Sequence, residues 1–149
     1  MNEAIKSMAS LLRHEGIWEG RYRRVDREGR LLDEHASRIE VRFPDSGPVH
    51  YRQHNRFTWD DGHVVEAEHP AVCRDGVLHW DTPLITGRAW SVDERSTVLR
   101  WCRHDEPGAE LYELIVINES SDRRSRTWHW FRGGEVFQRT LIDEWRVAS

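Results

Sequence analysis

At 149 residues the chain is long enough for one domain to bury a self-sufficient core without disulfide or metal staples. Its formal charge of −4, with basic residues scattered among acidic ones, argues against nucleic acid as the main partner, and no run approaches the ~18 apolar residues of a membrane span. Met1–Ser10 has neither the basic nor the apolar region of a signal peptide, so the chain reads as cytoplasmic, with Cys73 and Cys102 as thiols; a disulfide between them would need a geometry that spacing does not reveal.

Along the chain, Ile5, Met8, Ala9, Leu11 and Leu12 recur at near-helical spacing between Asn2 and His14, and Gly16 follows. This predicts one short amphipathic helix within residues 1–15. From Ile17 the period falls to two, and turn signals recur about every ten residues. The predicted strands are Ile17–Val25, Leu31–Phe43, Val49–Trp59, His63–Cys73, Val77–Asp81, Leu84–Val92, Thr97–Arg103, Leu111–Glu119, Ser125–Phe131 and Glu135–Val147. Arg132-Gly133-Gly134 joins the last two as a hairpin signal. The fold class is therefore all-β: one domain over 1–149, with a helix in 1–15 and an antiparallel up-and-down barrel of about ten strands in 16–149. Closing the meander removes its exposed edges. A two-sheet sandwich is the alternative, and it usually needs longer crossovers than these.

Alternation then assigns the faces. In Val49–Trp59, the set His50, Arg52, His54, Arg56 must face water, which turns Tyr51, Gln53, Asn55, Phe57 and Trp59 inward. By the same logic His35, Ser37, Ile39, Val41 and Phe43 face in, as do Trp18, Gly20 and Tyr22, while Glu66 and Glu68 form a solvated edge. A solid barrel core would be aliphatic, because a buried amide or hydroxyl without a partner costs ~1–3 kcal/mol. An interior of Tyr, Gln, Asn, His and Ser beside rings implies a cavity for water or a ligand. The alternative is that these groups satisfy one another in a tight inner network. Eight tryptophans spread along the chain suit the wall of such a cavity. Of the 22 cationic residues only Lys6 is lysine, a skew that reflects either codon bias or guanidinium groups stacking on those rings.

Glu15-Gly16-Ile17-Trp18-Glu19-Gly20 lies just after the short helix and opens the first strand. This resembles the Gly-x-Trp motif of lipocalins and related calycins, and the whole chain is similar in architecture to small bacterial calycin-like proteins of unknown function. Arg126-Thr-Trp-His-Trp-Phe131 and Phe137-Gln-Arg-Thr-Leu-Ile142 add to the likeness. The resemblance implies that Trp18 closes the base of the barrel and that a late arginine packs on its ring. Arg139 is the first candidate and Arg146 the second. If Arg139 faces inward, so do Phe137 and Leu141, and across the Gly133-Gly134 turn Trp128 and Trp130 join them, with His129 outside. The opposite parity would leave an aromatic patch on the outer wall and signal a dimer interface, so the chain is expected to be a monomer or a homodimer.

The favoured function is binding of a small hydrophobic, aromatic or otherwise planar organic ligand. Trp18, Tyr22, Tyr51, Gln53, Asn55, Phe57, Trp128, Trp130, Phe137 and Arg139 would line its site. The second reading is a cofactor-independent isomerase, cyclase or lyase using that pocket, with His35 and Tyr51 as acid–base residues, although no nucleophile elbow or phosphate loop supports it. No cofactor is expected, and no metal site: His50 and His54 would sit ~13 Å apart on a strand, too far to share an ion. The third reading comes from resemblance, since nitrobindins are calycin-like barrels that bind haem through one histidine near the C-terminal strands, where His129 lies.

Overall fold

The computed structural model describes residues 3–149, so Met1 and Asn2 of the predicted helix lie outside the described residues. The strands are β1 (Gly16–Asp26), β2 (Leu31–Arg42), β3 (Tyr51–Thr58), β4 (Val64–Arg74), β5 (Val77–Asp81), β6 (Ile85–Ser91), β7 (Ser96–Arg103), β8 (Ala109–Ile117), β9 (Arg123–Arg132) and β10 (Glu135–Ala148). Each pairs antiparallel with the next, and β10 returns to β1, so the sheet closes as an up-and-down barrel. All the predicted strands are present, with ends displaced by no more than two residues. At the β9–β10 hairpin both Gly133 and Gly134 adopt positive φ (59° and 80°), which matches the twist of the flanking strands.

The predicted helix is broken into a 3₁₀ turn at Glu3–Ser7 and one α-helical turn, α1, at Ala9–Leu12. So short a segment is marginal as a free helix, and its contacts decide its shape. Ile5 and Met8 are wholly buried among Trp18, Ile39, Phe43, Cys73 and Leu78. The Ser10 hydroxyl bonds with Ser91 (2.6 Å) and Thr97 (2.7 Å). The segment thus plugs one end of the barrel, its base. Loops 27–30, 59–63, 82–84, 104–108 and 133–134 rim the opposite end, the mouth.

Trp18 does close the base, and it is fully buried with its indole N–H donated to the His14 carbonyl at 3.0 Å. Its ring lies between two guanidinium groups: the Cζ atoms of Arg146 and Arg124 each stand 4.5 Å from its centroid. Arg146, not Arg139, is therefore the late-strand partner, and it also donates to the carbonyls of Arg13, Glu15 and Ser121. The outward course of Arg139 has a specific cause. A bulge between Val136 and Gln138 shifts β10 by one residue, so Gln138, Thr140, Ile142 and Glu144 turn inward. Arg139 and Leu141 go to the outer wall, where Arg139 lies opposite His129. Trp128 and Trp130 are buried inside, as expected, and Phe137 still reaches the Trp130 ring from the bulge, at 6.2 Å.

Above Trp18 comes a layer of buried charge. Arg124 donates to Glu144 and Arg126 to Glu113, both at 2.8 Å, and a second Arg126 nitrogen lies 3.6 Å from Glu144. All four side chains are at most 6% exposed. Arg126 also donates to the Tyr22 hydroxyl (2.8 Å) and Arg124 to His14 Nδ1 (3.1 Å). Space for this layer comes from Gly20, where a Cβ would sit 2.8 Å from Glu144 Cγ and 2.2 Å from the Asp143 carbonyl.

Glu144→Ala would leave two guanidinium groups buried with one carboxylate between them. The expected cost is ~3–5 kcal/mol of unfolding free energy, seen as a lower urea midpoint at unchanged slope.

Candidate ligand site in the barrel lumen

From the charged layer to the mouth, the lumen is lined mainly by rings. Tyr22 stacks on His35 (4.8 Å, 23° between planes) and meets Phe57 at 4.8 Å and Trp128 edge-on at 5.6 Å. His35 lies 4.5 Å from Phe57 and 4.3 Å from Trp59, whose outer face carries His63 in parallel stacking at 4.3 Å. Trp59 is anchored at the rim through its N–H to Asp33 (3.0 Å). Across the lumen Trp101 meets Trp128 edge-to-face at 4.9 Å. Gln53, Phe57, His69, Trp101, Arg103 and Phe137 point inward yet are only half-buried. Solvent reaches them through the mouth.

Strand alternation places the predicted residues largely as expected. Tyr51 and Asn55 are buried and Gln53 half-buried, and they form a relay. Tyr51 donates to Gln53 Oε1 (2.5 Å), and Gln53 Nε2 donates to Asn55 Oδ1 (2.8 Å). The inner-network reading thus holds for these three among themselves, and the relay leaves the Asn55 amide N–H group as its free end. Burial pushes the Tyr51 phenol up to about 12. His35 bonds to the Ala36 carbonyl (3.2 Å), and burial lowers its pKa. His35 touches Phe57, whereas Tyr51 lies six residues earlier on β3 against Phe43 and Trp80. That separation is ~20 Å along the strand, so the two cannot act on one reacting atom.

Several lumen groups escaped the sequence reading. His69 faces inward on β4, as the outward Glu66 and Glu68 already implied by parity. Its Nδ1 has no partner, and burial, with the charges of Arg126 and Arg103, lowers its pKa to about 4. Trp80 on β5 and Trp101 on β7 flank Gly87, where a Cβ would come within 2.4 Å of Trp101 Cβ. Tryptophan abundance was a signal for both, and alternation along Thr97–Arg103 could have placed Trp101. Arg124 and Arg126 share the inward parity of Trp128 and Trp130, but nothing in the sequence pairs them with Glu144 and Glu113.

On the outer wall a groove of about 880 Å³ is lined by Glu110, Tyr112, His129 and Phe131. His129 belongs to this groove and not to the lumen, so it cannot hold a haem inside the barrel. Among the described residues no cluster of His, Cys, Asp and Glu is arranged to hold a metal ion. Cys73 and Cys102 are both free.

The fold is a calycin-like barrel. It is similar to the S-type phycobiliprotein lyase CPES of Guillardia theta (TM-score 0.73, 19% identity, covering 100% of this chain and 99% of that one). It is also similar to a DUF3598-family protein of unknown function from Nostoc punctiforme (TM-score 0.73, 18% identity), covering 94% of this chain but spanning only 50% of that protein. Rv2717c of M. tuberculosis is a third (TM-score 0.68, 16% identity, 99% of each chain). No protein-family model and no curated protein matches the chain.

His14, like His35 and His69, has its pKa lowered from 6.5, chiefly by burial and then by neighbouring arginines. The unfolded chain takes up these protons near pH 6.5, whereas the folded barrel resists them. Stability is therefore full above about pH 6.5 and drains away as the pH falls towards 4. Urea unfolding between pH 7.5 and 4 should show this loss, and His69→Phe should flatten part of it.

Proposed function

We propose that the chain binds a small, planar organic molecule in the upper lumen, between the mouth and the layer of buried charge. One observation carries this reading: Phe57, Trp101 and Phe137 face the inside of a closed barrel and are nonetheless reached by solvent. A barrel that served only as a scaffold would gain by burying such rings fully, at ~25 cal/mol for each Å² of apolar surface. Left open, they offer flat stacking area, and the Tyr51–Gln53–Asn55 relay and His69 supply a few fixed polar groups among them. That is the composition of a small-molecule pocket. The fold accommodates such work, since a barrel of the same shape serves as a phycobiliprotein lyase.

The base contributes rigidity rather than contacts. Trp18, counted by sequence among the lining residues, is sealed between two arginines and takes no part. Arg139 is on the outer wall and drops out as well. The site retained from the sequence is Tyr22, Tyr51, Gln53, Asn55, Phe57, Trp128, Trp130 and Phe137, joined by His69 and Trp101.

Titration with the neutral fluorophore N-phenyl-1-naphthylamine should give saturable one-to-one fluorescence enhancement with quenching of tryptophan emission. Trp101→Ala and Phe57→Ala should each weaken binding about tenfold, the equivalent of losing one good ring contact. Tyr112→Ala, in the outer groove, should leave it unchanged. Absence of saturable binding, or sensitivity to Tyr112 but not to Trp101, would overturn the assignment.

A further inference from the structure

We propose that the guest of the lumen is an uncharged planar molecule whose buried edge presents hydrogen-bond acceptors, a quinone-like or other carbonyl-bearing ring system. This deepens the reading of the lumen as a binding site and rests on it.

Three tryptophans of the interior and mouth have their N–H groups satisfied by the protein. Trp18 donates to the His14 carbonyl, Trp130 to Thr140 Oγ1 at 2.9 Å, and Trp59 to Asp33. Three others, Trp80, Trp101 and Trp128, have indole N–H groups that are buried and without a partner. Trp80 and Trp101 flank the bare backbone of Gly87, and Trp128 packs edge-to-face on Trp101. Trp80 and Trp128 are 5% and 7% exposed, so bulk solvent hardly reaches them. Each such N–H carries a desolvation penalty in the free protein, and proteins rarely leave several together. An indole nitrogen only donates, so the inference does not depend on a tautomer or an amide flip. The free end of the Tyr51–Gln53–Asn55 relay adds a further donor to the same lumen.

The unmet acceptors lie elsewhere. Ser37 Oγ and Glu144 Oε2 lack partners but lie at the charged layer, on the two strands that flank Gly20. What remains towards the mouth is a wall of donors, together with His69.

The charge of the guest follows from the layer beneath it. Arg124 and Arg126 are matched by Glu113 and Glu144, and at the rim Arg103 is held by Asp105 through two hydrogen bonds, at 2.8 and 2.9 Å. His69 and His35 are held neutral by burial. Arg24, which shares the inward parity of Tyr22 and bonds to the neutral Gln138 amide (3.1 Å), stands nearer the mouth; below it the inward arginines are matched by carboxylates, so an anionic group carried past Arg24 would be buried without a counter-charge.

The test compares 9,10-anthraquinone, anthracene and anthraquinone-2-carboxylate, which share one ring frame, by tryptophan quenching with the intact protein. Anthraquinone should bind about tenfold more tightly than anthracene, although anthracene is the more hydrophobic, since two carbonyls gain donors that are already desolvated. The carboxylate should bind at least tenfold more weakly than anthraquinone. In ¹H–¹⁵N spectra of ¹⁵N-tryptophan-labelled protein, three indole N–H resonances should move with anthraquinone and not with anthracene. Trp128→Phe, which keeps a ring but removes the N–H, should narrow the preference for anthraquinone over anthracene. Equal affinity for anthraquinone and anthracene, or tighter binding of the carboxylate, would overturn the inference while leaving lumen binding intact. Failure of all three compounds to saturate would remove the binding site itself.

Discussion

Two arginines and two carboxylates buried in the middle of a small barrel are the constraint on which the rest of the structure depends. Taking four charges out of water costs several kcal/mol per ion unless geometry and pairing repay it. Here the repayment is specific. Each arginine makes a direct hydrogen bond to a carboxylate, Arg126 reaches on to Tyr22, and Arg124 to the unprotonated nitrogen of His14. Burial alone would raise the pKa of Glu144, but the two arginines outweigh it and hold the carboxyl below its ordinary value. The layer is only stable as a set, which ties β8, β9 and β10 to β1 and to the N-terminal plug.

The same layer divides the interior. Below it, Trp18 is clamped between Arg124 and Arg146 and sealed by Ile5, Met8 and Leu11, which gives a dry, fully packed base. Above it, aromatic rings meet edge-on and leave half-exposed faces towards the mouth. A planar guest adds to such an assembly without disturbing the base, because the charged layer separates the two. Gly20 and Gly87 serve this arrangement in parallel ways: each is an inward position where a side chain would strike a functional neighbour, Glu144 in one case and Trp101 in the other.

The arginine-rich composition also acquires a physical meaning. Arg88, Arg100, Arg103, Arg124, Arg126, Arg132 and Arg146 all stand over aromatic rings, at 4.5 to 5.9 Å from the centroids. A planar, weakly hydrated guanidinium can stack on an indole and still donate along its edge, and lysine cannot do both. At Trp18 this double use is plain, since Arg146 covers the ring while donating to three backbone carbonyls.

Period, turn chemistry and alternation determined the barrel, its ten strands and the inward course of Trp18, Tyr22, His35, Tyr51, Gln53 and Asn55, because a pleated strand presents side chains strictly to one face or the other. Even His69 follows from Glu66 and Glu68 by that rule. Tertiary structure alone decided the rest. The bulge at Val136–Gln138 reversed the faces of Arg139 and Leu141, and a one-residue bulge leaves no mark in a run of alternating residues. Packing at the base broke the predicted helix, since so few residues hold no helix of their own. By residue type alone, the four buried charges look like solvated positions. Only the closing of the sheet brings Arg124, Arg126, Glu113 and Glu144 close enough to neutralise one another, and that distance is not a property of any segment of the chain.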